Sequence, residues 1–119
     1  MELKRFYEEI SGDYEGTLAR LMTEERIKKF LRKFAAAKEY EELKKSIESK
    51  NSEELFLLSH SIKGMCANLG LSKLQDSSSR LCEAVRNGVN VSEEELLRLC
   101  SALKADYDKA IDAIAEIEG

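Results

Sequence analysis

Proline is missing from all 119 residues of this chain and glycine occurs only six times, so almost nothing interrupts the hydrogen bonding of a helical backbone. Helix formers such as Leu, Ala, Glu and Lys fill the intervals between the few breaks. Gly12-Asp13 closes a short opening helix, Lys50-Asn51-Ser52 separates two helical runs, and Gly70 and Gly88 stand where helices stop. Six helical segments follow, at about 2–10, 13–36, 38–49, 52–69, 73–87 and 92–117, with Thr23 as a candidate break in the second.

Helix starts carry capping chemistry. Ser72 with Gln75 and Ser92 with Glu95 match the spacing of reciprocal N-terminal caps, and Ser52 precedes Glu53 and Glu54 at a positive dipole end. Apolar periodicity then assigns faces. Leu74, Ser77, Ser78, Leu81 and Val85 line one side of the fifth segment, and Leu96, Cys100, Leu103, Tyr107, Ile111 and Ile114 line the last. Each stripe needs a partner surface, and loops of a few residues make neighbours antiparallel. The expected fold is all-α, an antiparallel up-down four-helix bundle with one or two short accessory helices, built as a single domain over residues 1–119.

Charge and composition narrow the function. A net charge of -4 and a pI near 5.2 exclude a nucleic-acid partner, which needs clustered Lys and Arg. The opening MELKRFYEEI is charged throughout and no apolar run approaches the length of a membrane span, so we expect a cytoplasmic protein without membrane insertion. Cys66, Cys82 and Cys100 are odd in number, lack C-x-x-C spacing and fall inside helical patterns, which makes them small buried hydrophobes. No metal site is expected, for want of a second histidine at i+4 or of clustered thiols.

The chemistry concentrates in SEELFLLSHSIKGMCANLG, residues 52 to 70. Leu55, Leu58, Ile62, Met65, Cys66 and Leu69 form its apolar stripe, and at about 100° per residue His60, the one histidine, points roughly 170° away from it. Phe56, Leu57, Lys63, Gly64 and Ala67 surround it on the outer face. Gly64 costs a helix about 0.5–1 kcal/mol relative to alanine and clears space one turn from the imidazole. Exposed Phe56 and Leu57, with Ala67, offer contact to a docking partner, and Lys63 at i+3 can bring an ammonium toward a group bonded to the ring. An imidazole nucleophile, open approach and a nearby cation are what phosphoryl transfer requires. The attacking atom is expected to be the outward Nε2.

His60-Ser61-Ile62-Lys63-Gly64, followed by Ala67-Asn68-Leu69-Gly70, resembles the H-x-x-K-G motif of histidine-containing phosphotransfer (HPt) domains. Gly12-Asp13, the Lys28 to Phe34 stretch, and Leu74 to Asn87 closed by Gly88 are similar to further segments of that family, whereas Met65-Cys66 departs from its usual small residues. The resemblance implies a multistep two-component phosphorelay. In it His60 is the phosphoacceptor, Lys63 assists the phosphoryl oxygens and Gly64 admits the partner. Receiver domains of response regulators, and a hybrid histidine kinase, are the implied partners. The receiver supplies Mg²⁺ and most catalytic groups, and the chain itself is a phosphocarrier rather than an enzyme, without a cofactor of its own. The sequence agrees in having neither a G-x-G-x-x-G nor a Walker-type phosphate loop. In some members a polar residue of the adjacent helix positions the imidazole, and Ser79, Cys82 and Glu83 are the candidates here. A monomer is expected, because Gly64 implies a face kept free. Two alternatives stand beside this reading: a non-catalytic helical adaptor using the Phe56–Leu57 patch, and the phosphoacceptor domain of a chemotaxis-type histidine kinase.

Overall fold

The computed structural model describes residues Met1–Gly119 and contains seven helices and no strand. They are α1 (Leu3–Glu9), α2 (Tyr14–Leu21), α3 (Glu24–Ala36), α4 (Glu39–Ser49), α5 (Ser52–Leu69), α6 (Ser72–Ala84) and α7 (Glu93–Ala115). The chain does break near Thr23, whose hydroxyl accepts the Arg26 amide at 3.2 Å and so starts α3. Ser92 caps α7 as its spacing requires, accepting the Glu95 amide at 3.1 Å. Asn51 rather than Ser52 caps α5.

One expected cap is corrected. Ser72 lies inside α6, which is preceded by Leu71 and has no side-chain cap. The turn from α5 into α6 is held by backbone, Leu71 N–H to Cys66 O at 3.0 Å, and the Gln75 amide that Ser72 was expected to cap donates to Leu71 O at 2.8 Å, so the helix starts one residue earlier. The fifth segment also ends earlier than expected, at Ala84, because the chain turns through Asn87 (φ 58°) and Gly88 (φ 102°), and the Asn90 side chain ties back to the Glu83 carbonyl at 2.9 Å.

α4, α5, α6 and α7 pack in a closed ring, each against the next, so α7 lies across the bundle from α5. α3 packs on the same two neighbours as α4, namely α5 and α7, and the two together form one leg interrupted at Ala37, where ψ turns to 148°. The bundle is therefore four-legged, with α1 and α2 as accessory helices. Its axis runs through Ile27, Leu31, Phe34, Leu43, Leu55, Ile62, Leu81, Leu103 and Tyr107, all buried. Phe34 and Tyr107 stack with ring centroids 5.0 Å apart, locking α3 to α7. All three cysteines are free and buried, and burial pushes the Cys66 thiol up to about 12. No helix is long and apolar enough to cross a membrane.

Candidate functional site

α5 is closed at both ends before anything is asked of its middle. At its start the Asn51 side chain accepts the Glu54 amide at 3.0 Å, and Glu53 and Glu54 meet the positive end of the helix dipole. Beyond Cys66, whose carbonyl the turn itself takes, the carbonyls at its end are taken by α1, α2 and the residue that caps α2. The Arg20 guanidinium donates to Ala67 O at 3.1 Å and Asn68 O at 3.2 Å, the Tyr7 hydroxyl to Leu69 O at 2.7 Å, and the Asp13 amide to Gly70 O at 2.9 Å. This end is also why two glycines are where they are. Gly70 adopts φ +67°, and a Cβ there would overlap the Thr17 hydroxyl and come 2.7 Å from Asp13 O; a Cβ on Gly12 would come 2.6 Å from Gly70 O. Tyr7 and Arg20 carry no local sequence signal for this role, because the carbonyls they reach are about fifty residues or more away along the chain.

The buried residues of α5 are Leu55, Ser59, Ile62, Cys66 and Leu69. Leu58 and Met65, expected in the core stripe, are only half-buried, and Ser59 takes the inward position. At about 100° per residue this rotates the buried face by roughly 30° toward Ser59. The cause is the close pairing with α6, which presents buried Ser77 and Ser78. Ser59 and Ser78 satisfy their hydroxyls on their own helices, Ser59 donating to Phe56 O at 3.1 Å and Ser78 to Leu74 O at 2.9 Å, while Ser77 also reaches the Asp106 carboxylate on α7. Serines that bond in this way bury as small residues, and a hydrophobic pattern does not register them.

The rotation leaves His60 exposed, near the middle of the helix, on the flank that leans toward α6. Its ring stacks on Phe56 with centroids 6.1 Å apart and planes 16° from parallel, and no hydrogen bond or ion pair within the chain engages either nitrogen. None of the three candidate orienting residues bonds it. Ser79 is half-buried, Cys82 is fully buried, and Glu83 is occupied by Arg86. Lys63 is half-buried and forms no ion pair. Gly64 is exposed, and a Cβ built on it would meet nothing within 4 Å.

The docking residues divide. Leu57 is 66% exposed and Ala67 is exposed, but Phe56, expected to be exposed, is half-buried and packs against the core. It is a correction that follows from the same rotation: turning the core toward Ser59 draws Phe56 inward, where it becomes the platform under His60. No group of three or more His, Cys, Asp and Glu side chains converges to hold a metal ion.

The face thus holds a free imidazole on an aromatic platform, an uncommitted ammonium at i+3 and an open approach at i+4. A family model described as the Hpt domain matches residues 30–116, from within α3 to the end of α7, leaving α1 and α2 outside the match. No curated protein and no solved structure matches the chain.

Proposed function

The chain belongs to the Hpt domain family, phosphocarriers that act on histidine in two-component signalling and interact with receiver domains, and we propose that His60 is the residue that carries the phosphoryl group here. One observation carries the reading. His60 is the one histidine of the chain, it lies inside the matched region, and the neighbouring glycine is a vacancy that the chain's own packing does not use.

In the proposed step a lone pair on the outward ring nitrogen, Nε2, attacks the phosphorus of a receiver's aspartyl phosphate. The N–P bond forms as the acyl P–O bond breaks, the aspartate leaves with the bonding pair as a carboxylate, and the second ring nitrogen keeps its proton. Reversal delivers the group to another receiver, as a multistep relay demands. Lys63 meets the charge on the phosphoryl oxygens, and Gly64 leaves room for the receiver's active-site edge. Leu57 and Ala67 supply contact, while Phe56 acts from beneath, fixing the imidazole plane. The receiver brings Mg²⁺ and the remaining catalytic groups, and the domain takes no cofactor of its own. We read residues 1–119 as one domain, a monomeric cytoplasmic carrier, served upstream by a receiver of its own or by that of a hybrid histidine kinase.

Incubation with a promiscuous receiver domain, Mg²⁺ and acetyl phosphate tests this. Wild type should gain one acid-labile, base-stable phosphate by intact mass, and His60→Gln none. Receiver omitted, or ATP alone, should leave the protein unmodified. Label on the His60→Gln variant, or none on wild type with several receivers that bind it, would refute the assignment.

A further inference from the structure

Three charges stand together on the α6 side of His60. The Arg86 guanidinium sits 5.3 Å from the centroid of the Phe56 ring, the same ring on which His60 stacks. Arg86 is held there by Glu83, through contacts of 2.8 Å from its terminal nitrogen and 3.4 Å from Nε. Arg86 and then Lys63 hold the Glu83 carboxyl below its ordinary range, so the carboxylate feels both cations. Glu83 and Arg86 are exposed, and an exposed i,i+3 pair contributes little to a fold. The pair contributes little to the fold, yet it stands against the aromatic ring on which the only imidazole of the chain stacks.

We propose that Glu83 and Arg86 form a matched pair that sets how strongly His60 holds a phosphoryl group, Glu83 competing with the phosphoryl oxygens for Lys63 and Arg86, and Arg86 offsetting Glu83. The inference rests on His60 as the carrier. Phosphorylation brings close to two negative charges onto this face, and those oxygens would draw on free Lys63 and on Arg86, which Glu83 already bonds. A carrier must release as readily as it accepts. A resident carboxylate keeps the phosphorylated form from becoming a sink, and the paired guanidinium keeps that carboxylate from repelling the group outright. Taking a separation of one physiological Debye length, about 8 Å, as the scale, Coulomb's law in a watery dielectric gives a unit charge roughly a six-fold effect on a dianion's equilibrium, falling to about two-fold once salt screens it.

The test is the ratio of phosphorylated His60 to receiver aspartyl phosphate at equilibrium, at low and high salt, for the full chain and its variants. Glu83→Gln should raise the ratio about two- to six-fold at low salt and Arg86→Gln should lower it by a similar factor. The double variant, with the pair's net charge restored, should return near wild type, and Arg86→Lys should behave as wild type. High salt should collapse all differences, and Glu116→Gln, at the far end of α7 across the bundle, should change nothing. Lost packing would not give opposite signs, mutual cancellation and salt dependence together. Labelled wild type with unmoved single variants, or with both moved in the same direction, overturns the proposal alone. Unlabelled wild type overturns it together with its premise.

Discussion

Replacing Gly64 with alanine should make this protein more stable and worse at its work. Gly64 has ordinary helical geometry inside α5, is exposed, and has open space where its side chain would be. Alanine there costs no contact and removes glycine's entropy penalty, so folding should gain about 0.5–1 kcal/mol. At about 2.1 cal/mol/K per residue, 119 residues unfold with an entropy near 0.25 kcal/mol/K, and the melting midpoint should rise by about 2–4 °C. Far-UV circular dichroism on heating measures that half. Transfer from a phosphorylated receiver, followed by rapid quench, measures the other. A methyl one turn from His60 intrudes on the partner's approach, and displacement of reacting atoms by about 1 Å is worth up to a hundred-fold in rate, so alanine should slow transfer about ten-fold and Gly64→Gln about a hundred-fold. Gly64→Gln at wild-type speed would show that the receiver does not enter over this position. Gly64→Ala melting below wild type would show that the glycine answers a need within the fold, and the argument from its vacancy would fall.

Gly70→Ala should do the reverse, destabilising by about 2–4 kcal/mol in urea titration, because a Cβ there meets Thr17 and Asp13 at φ +67°; a neutral result would mean that α2 moves aside without cost. Met22 sits in a γ-turn at φ 78°, ψ -41°, closed by Thr23 N–H to Leu21 O at 3.0 Å, and its side chain is 70% exposed. Met22→Gly should therefore stabilise by about 0.5–1 kcal/mol, and a loss on chemical denaturation would mean that the exposed side chain contributes more than the backbone strain costs. Burial raises Cys66 from 9.0 to about 12 and Tyr7 from 10.0 to about 12. Both groups are neutral when protonated, so their contribution is whole below pH 9 and is lost as pH climbs from about 9 toward 12. Melting points should hold from pH 6 to 8 as far as these groups are concerned and fall above 9, with the first part of the fall absent in Cys66→Ala; an unchanged fall in that variant would remove Cys66 as a cause.

The helix boundaries were legible because their causes are local. Thr23, Asn51-Ser52, Gly70 and Ser92 act on amides within three or four residues, which is the range that a sequence pattern sees. Ser72 misled because it has the right spacing but the Gln75 amide already bonds Leu71 O, which starts the helix one residue sooner. The four-legged bundle followed from stripes and short loops, yet the joining of α3 and α4 into one leg did not, since it depends on both packing against α5 and α7. At the site, the outward direction of His60 survived a rotation of roughly 30° because it began nearly opposite the core. Phe56 began nearer the edge and did not. Glu83 and Arg86 could be paired from their spacing, but their relation to His60 appears only when α6 lies antiparallel beside α5.

α5 has Gly64 within it and Gly70 just past its end for opposite reasons, and the proposed role of its outer face rests on that contrast. Gly70 is crowded on every side by the chain itself, so its explanation ends inside the fold. Gly64 is crowded by nothing, so its explanation lies outside it. Between them α5 is fixed by Asn51 at one end and by Tyr7, Asp13 and Arg20 at the other, which holds His60 on a rigid element rather than on a loop. A domain that leaves both imidazole nitrogens without internal partners has put its binding energy into presenting the ring and left the rest of the catalytic machinery to whatever docks. Rigid presentation also bears on the proposed roles of Lys63, Glu83 and Arg86, which would act on a group whose position they do not have to create.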